Sequence, residues 1–194
     1  MADEREIKRY EPLGFLLALG LFSMLSVMAY ALYKLHRNLL TGQVAAPEPG
    51  GRVYAGAVLL LLAFGFLVLG SRFFRAQEFP AFRTCLGASF AGSVLFVVFQ
   101  VAGIPLRGAG ADPVQLGYYY LAFLSGVQML FVLIGLVGTA VLLARAYRAQ
   151  AYVESFIFSV NPPNILNLKL LLRYMGFVTI LWVGVIVFLK IHAV

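Results

Sequence analysis

Metal ligation, nucleophilic attack and proton transfer each need particular side chains, and this chain is short of them. Two of its 194 residues are histidine, His36 and His192, one is cysteine, Cys85, and eight are carboxylates. Haem or copper inside a membrane bundle needs imidazole or thiolate donors projecting into it. Both histidines fall at the ends of apolar runs, where they read as interfacial caps, with a shared surface metal site as the alternative. One thiol permits neither an intrachain disulfide nor a thiolate zinc site, and Cys85 reads as a small packing residue rather than a nucleophile. Proton and ion carriers place a titratable group at membrane depth, yet no Asp or Glu lies inside an apolar run; Glu78, Glu154 and Asp112 sit in connections. The runs hold Gln100, Gln128, Thr139, Thr179 and several serines instead, groups suited to hydrogen bonds between helices. The expectation is a chain with no catalytic residue, no metal ligand set and no cofactor of its own.

The elements that would position these groups are membrane spans. Hydrophobic residues make up 62% of the chain and charged ones 12%, with a mean hydropathy of +0.91, which predicts an all-α polytopic membrane protein in a single membrane domain, 1–194. Five spans are expected, at about 13–35, 53–74, 84–103, 118–146 and 170–192. Span one follows a mixed-charge head and Pro12. Ala29-Tyr30-Ala31 resembles a signal-peptide cleavage site, but the apolar run is long and Asp3, Glu4 and Glu6 dilute its positive flank, so it reads as an anchor. Residues 45–51, with two prolines, and 106–115 read as loops. Cys85, Ser89 and Ser93, with Ala88 and Gly92, give span three a small-residue face for close packing. Span four carries Gln128, Phe131, Gly135, Gly138 and Thr139 on one face, fitted to another helix. After it come an amphipathic piece within 151–168 and Asn161-Pro162-Pro163-Asn164, a helix breaker. Tyr118, Tyr119 and Tyr120 read as headgroup anchors.

The net charge of +7 sits in short clusters beside apolar runs, not in a stripe interleaved with aromatics, so topology rather than nucleic acid accounts for it. With the N-terminus inside, ten of the fifteen Lys and Arg fall on the inner side, including Arg72, Arg75, Arg83, Arg145 and Arg148, while Lys34, Arg37, Arg52, Arg107 and Lys190 fall outside. The bias predicts a cytoplasmic N-terminus and a periplasmic C-terminus, with both histidines at the outer surface. No internal repeat or matching pair of broken helices points to an inverted-repeat transporter.

The order of features resembles subunit III of the haem–copper oxidases in its five-helix form, from about Val53 to the C-terminus. Phe96 and Gln100, with Gly92 upstream, precede Arg107-Gly108-Ala109-Gly110, similar to the family's helix end and glycine-containing outer loop. Ser125-Gly126, Gln128, Phe131-Val132 and Gly135 fall in the register of its next helix, and Tyr174, Phe177, Val178 and Trp182 in that of its last. The departures are consistent. Gln128 and Phe131 stand where the family has histidines, and Met175, Gly176 and Thr179 where it has tryptophan, histidine and aspartate.

The resemblance implies a non-catalytic subunit of a bacterial terminal oxidase, cytochrome c oxidase first, in the inner membrane. It would serve aerobic electron transport by supporting the stability and proton uptake of subunit I. Haem and copper would belong to partner subunits. Subunit I, other oxidase subunits and phospholipid would be its partners, and a respiratory supercomplex is compatible with it. Gln100, Gln128, Phe131, Gly135, Tyr174, Thr179 and Trp182 would serve packing and subunit or lipid contact. An accessory subunit of a quinol oxidase or nitric oxide reductase, a small transporter and a free-standing scaffold are the rival readings.

Overall fold

A computed structural model describes residues 4–103, 113–149 and 152–192, with side chains from residue 19 onward except at 152 and 153. Every regular element among them is an α-helix: α1 (Glu4–Leu40), α2 (Gly51–Arg75), α3 (Phe79–Gly103), α4 (Pro113–Arg148), the short α5 (Tyr152–Val160) and α6 (Pro162–His192). Five are long and apolar enough to cross a membrane, as lipid requires of a chain that must satisfy its backbone internally. The protein is therefore an all-α, multi-pass membrane protein. Arg107-Gly108-Ala109-Gly110, Pro105 and Asp112 lie outside the described residues.

The helices overrun the apolar segments that predict them, because helical geometry continues into the polar flanks. With 36 residues, α4 is about 54 Å long, well beyond a hydrocarbon core of about 30 Å. The Asn161-Pro162-Pro163-Asn164 segment does break the chain, but the last helix starts within it rather than near Leu170. Prolines have no N–H to lose in a first turn, and the Asn161 carbonyl accepts from the N–H groups of Asn164 and Ile165 at 3.0 and 3.3 Å. Two helices end in left-handed residues. Gly42 (φ 68°) follows α1 and Gln77 (φ 61°) follows α2. In each case the N–H of that residue and the one after it return to the last turn, Gly42 to Leu39 and Gln43 to Asn38, Gln77 to Phe74 and Glu78 to Phe73. These bonds satisfy carbonyls that the helix leaves open.

At one end of the bundle lie the C-terminal ends of α1, α3 and α6 and the starts of α2 and α4. His36 meets His192 there, Asn38 donates to the Tyr120 hydroxyl at 3.0 Å, and Arg52 donates to the Ala102 carbonyl at 2.9 Å. The loop 41–50 folds over the start of α4, with the Ala45 N–H bonded to the Pro113 carbonyl at 3.1 Å. A Cβ on Gly117 would lie 2.3 Å from the Ala45 carbonyl oxygen, so only glycine admits this crossing. At the opposite end Phe74 packs on Phe82 and Phe158 with ring centroids 5.1 and 6.1 Å apart.

The tightest pair is α2 with α3. Ser89 and Ser93 are fully buried, and a Cβ on Gly92 would stand 3.0 Å from that of Ala63. The small-residue face thus lets two backbones approach closely, which substitutes for the hydrophobic drive that lipid does not provide.

Candidate functional site: the wedge between α3, α4 and α6

Of the seven residues singled out in the sequence, Gln100, Gln128, Gly135, Tyr174 and the Phe131 carbonyl meet partners along two adjoining seams, α3 on α4 and α4 on α6. On the first, the Gln100 amide donates to Ser125 Oγ at 3.0 Å, and both residues are completely buried. One turn along α4, Gln128 is equally buried and its amide donates to the Val178 carbonyl at 2.9 Å. Lower on the same seam the Tyr174 hydroxyl donates to the Phe131 carbonyl at 2.8 Å. Gly135 makes the close approach that this needs: a Cβ there would fall 2.3 Å from Met175 Sδ and 3.2 Å from the Tyr174 ring. Thr179 donates within its own helix to Met175 at 2.7 Å, as Thr139 does to Gly135 at 2.8 Å. Trp182 is 1% exposed and meets Phe96 edge-on at 6.4 Å between centroids.

The electrostatic character of this wedge is neutral throughout. Among the described residues the buried polar side chains are serines, threonines, glutamines and asparagines, together with the Tyr174 hydroxyl and the Trp182 indole N–H. Three of the wedge's polar atoms, Gln100 Oε1, Gln128 Oε1 and Trp182 Nε1, are buried without a hydrogen-bond partner, at a cost of about 1–3 kcal/mol each. The groups that do pair spend their donors on hydroxyl and backbone oxygens. This arrangement can fix helix register and close a seam. Its one titratable side chain among the described residues, the Tyr174 phenol, donates to a backbone carbonyl, so no chain of titratable groups runs through it. Nor is α4 broken at Gly135 and Gly138, where a transporter reading would look for a discontinuous helix.

A second feature adjoins the wedge. Between α1 and α4 runs an open apolar groove in two parts, of about 750 and 470 Å³, which share Val27 and Phe123. Phe131 lines its deeper part, and Lys34, Asn38 and Tyr119 line the part nearer the ends of α1 and α6. Lys34 Nζ lies 5.8 Å from the Tyr30 ring, so a cation, an amide and phenol rings stand at one end of an apolar trough.

Two arrangements were not legible from residue types. Arg83, counted in the sequence only as an inner charge, donates to the Ala146 carbonyl and to Ser155 Oγ, both at 2.9 Å, and also to the Ala149 carbonyl. It caps the C-terminal end of α4 and ties α5 to it, the end where a cation complements the helix dipole. The other is the contact of His36 with His192 at 3.0 Å; only their shared placement at span ends pointed to it. No protein-family model matches this chain. No curated protein matches it either.

Proposed function

We propose that this chain is a non-catalytic subunit of a bacterial haem–copper terminal oxidase, in the position of subunit III, lying in the inner membrane with its N-terminus cytoplasmic. Cytochrome c oxidase is the reading adopted; a quinol oxidase or nitric oxide reductase would place the same subunit against another catalytic partner. Its work is to pack against subunit I, hold phospholipid and sustain proton uptake and stability during turnover.

The observation that carries this reading is the wedge itself. The residues at the positions of the oxidase motifs form neutral, mostly backbone-directed hydrogen bonds, which serve packing rather than chemistry. The α1–α4 groove supports the lipid role, since its apolar length suits acyl chains and Lys34 suits a phosphate headgroup. The test is co-purification from gently solubilised membranes. A visible spectrum with haem in fixed ratio to this chain is the expected result, and the haem type distinguishes the catalytic partners. A chain that purifies as a discrete species without haem overturns the assignment in favour of a free-standing scaffold.

A further inference from the structure

His36, near the end of α1, and His192, in the last turn of α6, are 156 residues apart and meet with Nδ1 of the first 3.0 Å from Nε2 of the second. Their rings are nearly perpendicular, at 86°, with centroids 5.1 Å apart. The other nitrogen of His192, Nδ1, lies 2.9 Å from the Phe188 carbonyl oxygen. A carbonyl only accepts, so His192 Nδ1 carries a hydrogen. In the neutral ring Nε2 then holds a lone pair, aimed at His36. The Phe188 ring stacks on His192 at 4.3 Å and 29° and meets His36 edge-on at 6.3 Å.

We propose that His36 Nδ1 and His192 Nε2 form a binding site for a divalent transition-metal ion of the copper, nickel and zinc class. The backbone hydrogen bond on the far nitrogen of His192 is the arrangement that orients histidine ligands at metal sites. Metal–nitrogen bonds of about 2.0–2.1 Å put two tetrahedral ligands about 3.3 Å apart and two adjacent square-planar ones about 2.9 Å apart. The observed 3.0 Å lies between them, and each ring must turn by roughly 40° to bring its lone pair from the N–N line onto a shared metal. On binding, the single hydrogen of neutral His36 moves from Nδ1 to Nε2 and the metal takes the freed lone pair. No redox step and no net proton release are needed.

Both rings are half-exposed, so water fills the remaining coordination positions. Among the described residues no third His, Cys, Asp or Glu joins the pair, which makes the site reversible and leaves hard cations such as magnesium without oxygen ligands. Copper should bind most tightly of the three. The ion would link the ends of α1 and α6. This inference does not depend on the oxidase reading, because both ligands belong to this chain.

The test uses the full chain, free of affinity tag, in lipid nanodiscs. Copper(II) added at one equivalent should give an electron paramagnetic resonance spectrum with coupling to two nitrogens, and nickel or zinc, but not magnesium, should raise Tm. H36Q and H192Q should each weaken binding by tenfold or more and abolish the Tm shift. Equal binding by wild type and either folded variant overturns the proposal. If neither variant folds, the wild-type copper spectrum decides: coupling to two nitrogens supports the site, and one or none overturns it.

Discussion

The side-chain amide of Gln128 donates to the backbone carbonyl of Val178 across 2.9 Å, joining α4 to α6 between two completely buried residues. The carbonyl belongs to a helix that already satisfies its own backbone, so the bond adds to the seam without being essential to it. Interhelical bonds of this kind contribute about 0.6–1.7 kcal/mol, and removing the amide also removes the unpartnered Gln128 Oε1. Gln128→Leu should therefore destabilise the chain by no more than about 1 kcal/mol. In the proposed complex, initial oxygen reduction should stay near the wild-type rate, with at most a faster decay over many turnovers. A collapse of initial turnover at normal haem and lipid content would place Gln128 on a proton or electron route.

Two glycines of α4 should respond oppositely to alanine. A Cβ on Gly117 meets the backbone oxygen of Ala45 at 2.3 Å, whereas one on Gly126 meets nothing within 4 Å. Gly117→Ala must push the 41–50 loop off the helix and should cost about 1–3 kcal/mol. Gly126→Ala should be neutral or stabilise the helix by up to about 1 kcal/mol. Thermal unfolding in detergent compares them, and equal effects would mean that the loop is not seated on α4.

The spans were legible because lipid imposes long apolar runs, and the faces of span three and span four because small residues recur at helical spacing. Both faces meet neighbours, Gly92 against Ala63 and Gly135 against Met175 and Tyr174. Which helix each face meets depends on contacts far apart in the chain, such as Gln100 with Ser125 and Gln128 with Val178. Residue types and spacing do not encode these partners. The start of α6 was misplaced because two consecutive prolines break a helix and begin one equally well, and the choice was made by the bonds from Asn164 and Ile165 to Asn161. Arg83 was hidden for a related reason, since a guanidinium that caps a distant helix looks the same in a sequence as one facing headgroups.

Arg83 reaches three acceptors at the junction of α4 and α5. Arg83→Ala leaves the carbonyls of Ala146 and Ala149 without that donor, a loss of about 1.5–3 kcal/mol where hydrogen bonds to a charged group are fully buried and less here, because Arg83 is half-exposed. The expected effect is local. Hydrogen exchange should accelerate in the peptides around 146–160 while the α2–α3 pair stays protected. Uniform acceleration across the chain would mean that Arg83 holds the whole bundle.

The ends of α1 and α6 share one face of the bundle, and the end of α4 lies on the other. Proposed orientation puts the first face in the periplasm. With Cys85 first replaced by alanine, a cysteine at position 37 should react with an impermeant thiol reagent from the periplasmic side of intact cells. One at position 148 should react only after the membrane is opened. Labelling at 148 in intact cells would invert the topology.

Val27 lines both parts of the α1–α4 groove and is 43% exposed, so a large ring there fills the trough without entering the packed core. Val27→Trp should lower the phospholipid retained by the purified complex, read as phosphorus per haem. Lys34→Glu acts at the end instead, where reversing the charge disfavours a phosphate near the membrane surface; Lys34 and Asn38 line the same part of the groove. That variant should lower anionic more than zwitterionic lipid, since one basic residue near a charged surface contributes about 1 kcal/mol. Both substitutions leave the wedge of α3, α4 and α6 untouched, so assembly and haem content should be normal. Unchanged lipid content in both would remove the groove from the functional account and leave the seams as the subunit's structural contribution.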